Sequence, residues 1–159
     1  MLLYGEPRLT RDIDITLGLD ADGVENILSI LPDLSLVPLV KNPKEFVEKT
    51  MVLPTIDEES GIRVDFIFSF SPYERQALKR VRSVDFEGTR VAFASLEDVI
   101  IHKIIAGRPR DIDDAKSILL KNQDYDREYI KHWLEDFGKL LDADFLKLFE
   151  TLEKDLGRT

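Results

Sequence analysis

Cysteine is absent from the chain, so disulfides and thiolate metal sites are excluded. The sequence also lacks any run of about eighteen apolar residues, the length that a membrane-spanning helix needs. The N-terminal stretch MLLYGEPR has neither the basic region nor the cleavage site that is typical of a signal peptide. We therefore expect a protein of the reducing cytoplasm with no membrane partner.

Basic residues are also scarce. The chain has 22 lysines and arginines but 31 aspartates and glutamates, which gives a net charge of -9. This balance argues against broad, nonspecific binding to nucleic acid, whose phosphates attract cations. It leaves open a nucleotide bridged by a metal ion, since Mg²⁺ joins acidic side chains to phosphates.

The spacing of apolar residues predicts an α+β (mixed α/β) fold, with a small mixed sheet flanked by helices and a helical C-terminal half. No repeat or linker interrupts it, so we expect one domain over 1–159, its sheet-containing core in 1–94 and its helical part in 95–159. The predicted strands are 11–19, 34–40, the hairpin within 51–70 and the hairpin 84–94. The predicted helices are 20–31, 42–50, 71–81, 95–107, 108–122 and two within 126–156. Five phenylalanines are predicted to lie in the core: Phe66, Phe68, Phe70, Phe86 and Phe93.

Two aspartates, Asp12 and Asp14, lie two positions apart in the first predicted strand, RLTRDIDITLGL. Alternation places both side chains on one face, with their Cβ atoms about 6.5 to 7 Å apart. Two carboxylates this close repel each other unless a cation or a proton lies between them, and a divalent cation such as Mg²⁺ is the obvious candidate. The plain alternative is that both face solvent on an edge strand.

A third aspartate, Asp65, stands in the hydrophobic stretch IRVDFIFSF. If that strand lies beside the first one, Asp65 completes a cluster of three carboxylates, which suits two Mg²⁺ ions. The alternative for Asp65 is an ion pair with Arg63 or Arg11.

Three blocks of the sequence together resemble a known family: LYGEPRLTRDIDITL, RVDFIFS and FASLEDVIIHKIIAGRPRDIDDAKSIL. They are similar to the minimal nucleotidyltransferases of the AbiEii/AbiGii-toxin-like group, within the polymerase-β-like superfamily. The resemblance covers most of residues 1–120 and implies a nucleotidyltransferase-like fold.

The resemblance also implies a set of site residues. Asp12, Asp14 and Asp65 match the family's metal-binding and catalytic positions, which hold two Mg²⁺ or Mn²⁺ ions. The positions that match nucleotide-binding residues are Arg8, Thr10, Lys103, Arg110, Asp111 and Asp114. Some of these positions also have plainer interpretations. Lys103 could be a solvated helix residue, and the segment RPRDIDD could be an acidic first turn of a helix, which the helix dipole favours.

The family's glycine turn has no counterpart here, because no Gly-Gly or Gly-Ser motif precedes LYGEPR. We therefore expect either that residues upstream of Met1 exist or that the protein is a degenerate homologue. In either case we expect weak triphosphate binding and a sheet edge open to homodimer formation.

The leading hypothesis is transfer of a nucleoside monophosphate from an NTP to a hydroxyl of a tRNA, a protein or a small molecule. The resemblance also implies the context of a toxin with a cognate antitoxin. The alternatives are a catalytically inactive nucleotide-sensing or protein-interaction module, and a metal-dependent phosphohydrolase or nuclease.

Overall fold

The structure, a computed structural model, describes residues 4–5, 12–69 and 71–157. These residues form two compact units. Residues 12–79 make up one of them, which we call the sheet unit, and residues 4–5 with 80–157 make up the other, which we call the helical unit. The boundary after residue 79 precedes the predicted division at residue 94, and the single domain over 1–159 stays a prediction.

The sheet unit contains a four-stranded sheet and three helices. Its strands are β1 (Asp12–Leu17), β2 (Leu36–Pro38), β3 (Val52–Asp57) and β4 (Arg63–Phe68), and its helices are α1 (Val24–Ile30), α2 (Pro43–Thr50) and α3 (Pro72–Ala77). Single 3₁₀ turns at Ala21–Gly23 and Pro32–Leu34 flank α1. The strand order is β1-β4-β3-β2, with β1 parallel to β4 and the other two pairs antiparallel. The predicted mixed sheet is therefore confirmed.

One face of this sheet carries the core of the unit. The buried apolar side chains come from β3 and β4 on one side and from α1, the turn after it and α2 on the other: Leu53, Val64, Phe66, Phe68, Val24, Ile27, Leu31 and Val47. Burying side chains of this size stabilises a fold by about 1.5 to 3 kcal/mol each. Alternation places Asp12, Asp14 and Asp65 on the second face, together with apolar side chains of β3 and β4 such as Val52, Pro54 and Ile67.

The helical unit combines a β-hairpin with four helices. The hairpin strands are β5 (Arg82–Phe86) and β6 (Thr89–Phe93), and the helices are α4 (Leu96–Ala106), α5 (Pro109–Lys121), α6 (Arg127–Leu141) and α7 (Phe145–Asp155). Glu87 and Gly88, which connect the two strands of the predicted hairpin 84–94, have positive φ angles of 50° and 83°, as a two-residue hairpin turn requires. The apolar faces of the four helices are buried and include Ile101, Ile118, Leu134 and Phe149.

The phenylalanine prediction is only partly confirmed. Phe66 and Phe68 are buried, Phe93 is half-buried, and Phe70 lies outside the described residues. Phe86 was wrongly predicted, because its side chain at the tip of the hairpin is 59% exposed. The tip of a two-stranded hairpin can extend away from the core of the protein. Alternation predicts which side chains share a face but not which of them other residues bury.

Across the described part of the chain, no helix combines the length and the apolar character that a membrane span requires.

Candidate functional site

The first group of predicted site residues lies on the second face of the sheet, opposite the core of the sheet unit. Asp14 on β1 is the register partner of Asp65 on β4, and Asp12 is the partner of Arg63. Register partners on neighbouring strands point to the same face, so the three aspartates share one face with Arg63. We call Asp12, Asp14 and Asp65 the aspartate site. The condition on which the sequence hypothesis depended, that β4 lies beside β1, is met.

The apolar side chains of β1 and β4 fix this register. Ile13, Ile15 and Leu17 are the partners of Val64, Phe66 and Phe68, whose side chains face the core. A slip of one residue would turn the isoleucines towards the second face and the aspartates towards the core. Burial of the aromatic row on β4 therefore keeps the carboxylates on the opposite, accessible face, where Asp12 and Asp14 are exposed.

Asp65 is held by an arginine of its own strand. The Nε of Arg63 donates a hydrogen bond of 2.7 Å to Oδ1 of Asp65, and 47% of the arginine side chain is exposed against 17% of the aspartate side chain. The hydrogen bond and charge of Asp65, and then the charges of Asp12 and Asp14, raise the pKa of Arg63 above its usual value. Of the two ion pairs that the sequence left open, the structure shows the one with Arg63, while Arg11 lies outside the described residues.

The aspartate site fits a magnesium ion in the chemistry of its donors. Carboxylate oxygens are what Mg²⁺ and Mn²⁺ prefer, and Asp12 and Asp14 are accessible on an outer strand of the described sheet. Within the described ranges, however, no three His, Cys, Asp or Glu side chains are grouped so as to hold a metal ion. The donors are thus of the right type and on the right face, and one oxygen of Asp65 is engaged by Arg63.

The second group of predicted residues lies in the helical unit, around Lys103. Gly107 ends α4 with a positive φ of 64°, and α5 begins two residues later. The Nζ of Lys103 on α4 donates to Oδ1 of Asp111 at 2.7 Å and lies 3.0 Å from Oδ2 of Asp114, both on α5. The side chain of Lys103 is 20% exposed, so it is not the solvated helix residue of the plainer interpretation.

An arginine that the sequence hypothesis did not include completes this cluster. Arg108 donates from Nε to Oδ2 of Asp111 at 2.5 Å. Burial by itself raises the pKa of the Asp111 carboxyl, but the hydrogen bonds and charges of Lys103 and Arg108 outweigh burial and hold that pKa below its usual 3.8. Arg108 could have been found from its spacing, because it takes the N-cap position of α5, three residues before Asp111.

The other predicted nucleotide-binding residues either lie outside the contacts around Lys103 or fall among residues that the structure does not describe. The structure brings together Lys103, Asp111 and Asp114, whereas Arg110 is exposed on the first turn of α5. Arg8 and Thr10 lie outside the described residues. The aspartate site belongs to the sheet unit and the lysine cluster (Lys103, Arg108, Asp111, Asp114) to the helical unit.

A family model described as "Nucleotidyltransferase of unknown function (DUF6036)" matches residues 1–147. A search of curated proteins finds no match to the chain.

Proposed function

Since the chain belongs to this family of nucleotidyltransferases of unknown function, we propose that it is a metal-dependent enzyme that moves a nucleoside monophosphate from an NTP to a hydroxyl acceptor. Family membership implies the NTP substrate. The observation that carries the metal-dependent reaction is the register of β1 and β4, which sets Asp14 beside Asp65 with Asp12 on the same face.

Each aspartate has a role in this proposal. Asp12 and Asp14 would hold two Mg²⁺ or Mn²⁺ ions, with Asp65 as a ligand of one of them. When bound, the metal would offset the negative charge of the triphosphate and of the transition state. Asp65 would also accept the proton of the acceptor hydroxyl. The acceptor oxygen then bonds to the α-phosphorus, and the bond from that phosphorus to the pyrophosphate oxygen breaks.

Lys103 is proposed to bind a phosphate of the nucleotide. Its ammonium group has three donors, and its two aspartate partners use two of them. The third donor is the one that we assign to a phosphate oxygen, with Asp111 and Asp114 holding the lysine in place. The resemblance supports nucleotide-binding roles for Arg8, Thr10 and Arg110 in addition.

We also propose that the chain belongs to a particular group of nucleotidyltransferases. The three sequence blocks support the AbiEii/AbiGii-toxin-like group, and with it the context of a toxin and its antitoxin. The acceptor would be a tRNA end, a protein side chain or a small molecule.

Calorimetric titration of Mn²⁺ and Mg²⁺ with a nonhydrolysable NTP tests the proposal. We expect the wild-type chain to bind the metal–nucleotide complex and the double variant Asp12→Asn/Asp14→Asn to lose that binding, because two metal ligands are removed. The matched control is Asp20→Asn/Asp22→Asn, which removes the same charge from a second exposed pair of aspartates two positions apart.

Equal binding by the wild type and the Asp12/Asp14 variant would contradict the proposal, and so would an equal loss in the Asp20/Asp22 control. A wild type that binds the nucleotide without metal, or that binds neither, would instead support the second candidate function, a nucleotidyltransferase-like module for nucleotide sensing in the first case and for protein interaction in the second. The hydrogen bond between Arg63 and Asp65 favours that candidate, because it engages the third carboxylate.

A further inference from the structure

Arg63 places a positive charge that does not depend on pH at the aspartate site. It lies two residues before Asp65 on β4, so both side chains point to the same face. Its register partner on β1 is Asp12, and Asp65 is the register partner of Asp14. The guanidinium therefore belongs to the same four-residue patch as all three carboxylates.

We propose that Arg63 is a resident counter-cation of the aspartate site, which holds Asp65 until a divalent cation displaces it. This inference rests on the metal site of the proposed function. In the protein without metal, the guanidinium offsets part of the repulsion among the three aspartates and ties Oδ1 of Asp65. For Asp65 to become a metal ligand or to accept a proton, Arg63 must release that oxygen.

The geometry of Arg63 allows this exchange. Nearly half of its side chain is exposed, so the guanidinium can turn into water without leaving a buried cavity. Only 17% of the Asp65 side chain is exposed, so its carboxylate has less freedom to move than the guanidinium. A monovalent guanidinium and a divalent ion compete for the same oxygen, and the divalent ion gains more from three carboxylates.

A purely structural role for Arg63 makes the opposite prediction. If the arginine only stabilised β4, or only oriented Asp65 for the metal, its removal would leave metal affinity unchanged or lower it. Displacement predicts that removal raises the affinity for the metal itself, since the competitor is gone.

The test is titration of Mn²⁺ alone, without nucleotide, into the full chain and its variants. We expect Arg63→Met to bind Mn²⁺ about tenfold more tightly than the wild type, because a charge-assisted hydrogen bond no longer has to be broken. Arg63→Gln is the second variant, should the methionine lower solubility. Arg63→Lys keeps the charge and is expected to stay within about threefold of the wild type.

Two controls connect the gain to Asp65. Arg75→Met removes the same charge from an exposed position on α3 and is expected to leave Mn²⁺ affinity near the wild-type value. The double variant Arg63→Met/Asp65→Asn is expected to lose the gain, because the oxygen that Arg63 released is no longer a carboxylate.

Unchanged or weaker Mn²⁺ binding by Arg63→Met would overturn the inference, as would an equal gain in Arg75→Met. If the Asp12/Asp14 variant abolishes metal–nucleotide binding while Arg63→Met gains nothing, only this inference fails. If Arg63→Met binds Mn²⁺ more tightly but the wild type binds no metal–nucleotide complex, the counter-cation role stands and the proposed function fails for the unmodified chain.

Discussion

At the scale of single residues, the lysine cluster leads to a prediction about acid stability. The folded-state pKa of Asp111 lies below its usual 3.8, so its contacts with Lys103 and Arg108 stabilise the fold above that pH. We expect Asp111→Asn to lower the free energy of unfolding by about 1 to 2 kcal/mol at neutral pH. The deficit should close as the pH falls from 3.8 through the lower folded-state pKa, because the wild type must then protonate Asp111.

Urea denaturation at a series of pH values measures this difference. Asp113→Asn is the matched control, since Asp113 is exposed on the same helix. A deficit that persists unchanged below the folded-state pKa would mean that Asp111 stabilises the fold by packing and not by charge.

The sequence could predict these residues better than their contacts. The three aspartates could be recognised because charged residues are rare in strands of β-branched and aromatic residues. Lys103, Asp111 and Asp114 were predicted from the family resemblance. The pairing of Asp65 with Arg63 was one of two alternatives, since Arg11 offered the same charge. Side-chain conformation decides such a choice, and sequence spacing does not encode it.

At the scale of elements, a buried carboxylate joins the last two helices. Glu153 on α7 is 1% exposed and accepts hydrogen bonds from Nε and Nη2 of Arg127, at the start of α6, and from the hydroxyl of Tyr125. We expect Arg127→Met to lower the free energy of unfolding by about 2 to 3 kcal/mol, because it leaves a buried carboxylate without its main counter-charge.

The comparison variant is Lys139→Met on the same helix. Lys139 pairs with Glu135 at 3.1 Å, but both side chains are exposed, so the expected loss is below about 0.5 kcal/mol. Chemical denaturation of both variants gives the two values. Equal losses would show that the buried position of Glu153 adds nothing to the strength of its contact.

Helix and strand positions were predictable because local spacing determines them. The N-cap Ser95 of α4, for example, accepts a hydrogen bond from the backbone N–H of Asp98 at 3.1 Å, as serine before a predicted helix commonly does. The order β1-β4-β3-β2 was not predictable, since it depends on pairing between residues about fifty positions apart in the chain. For this reason the three-carboxylate hypothesis could be stated only as a condition on strand pairing.

At the scale of the whole molecule, the exposed isoleucines of β1 predict self-association. Ile13 and Ile15 lie on the core-side face of the sheet yet remain 48% and 38% exposed, and β1 is an outer strand among those the structure describes. Apolar residues on an outer strand favour pairing with a second copy, against the repulsion of a net charge of -9.

Sedimentation velocity from about 1 µM to 1 mM is the measurement, a range that covers weak dimers. We expect a dimer that grows with protein concentration and with added salt, which screens the repulsion. Ile13→Lys/Ile15→Lys should abolish it, while Ile30→Lys/Leu34→Lys makes the same charge change at two other exposed apolar positions and should not weaken it, because the added lysines reduce the net negative charge and its repulsion. Persistence of the dimer in the first variant would place the contact elsewhere, and a monomer at every concentration would mean that Asp12 and Asp14 already protect this edge.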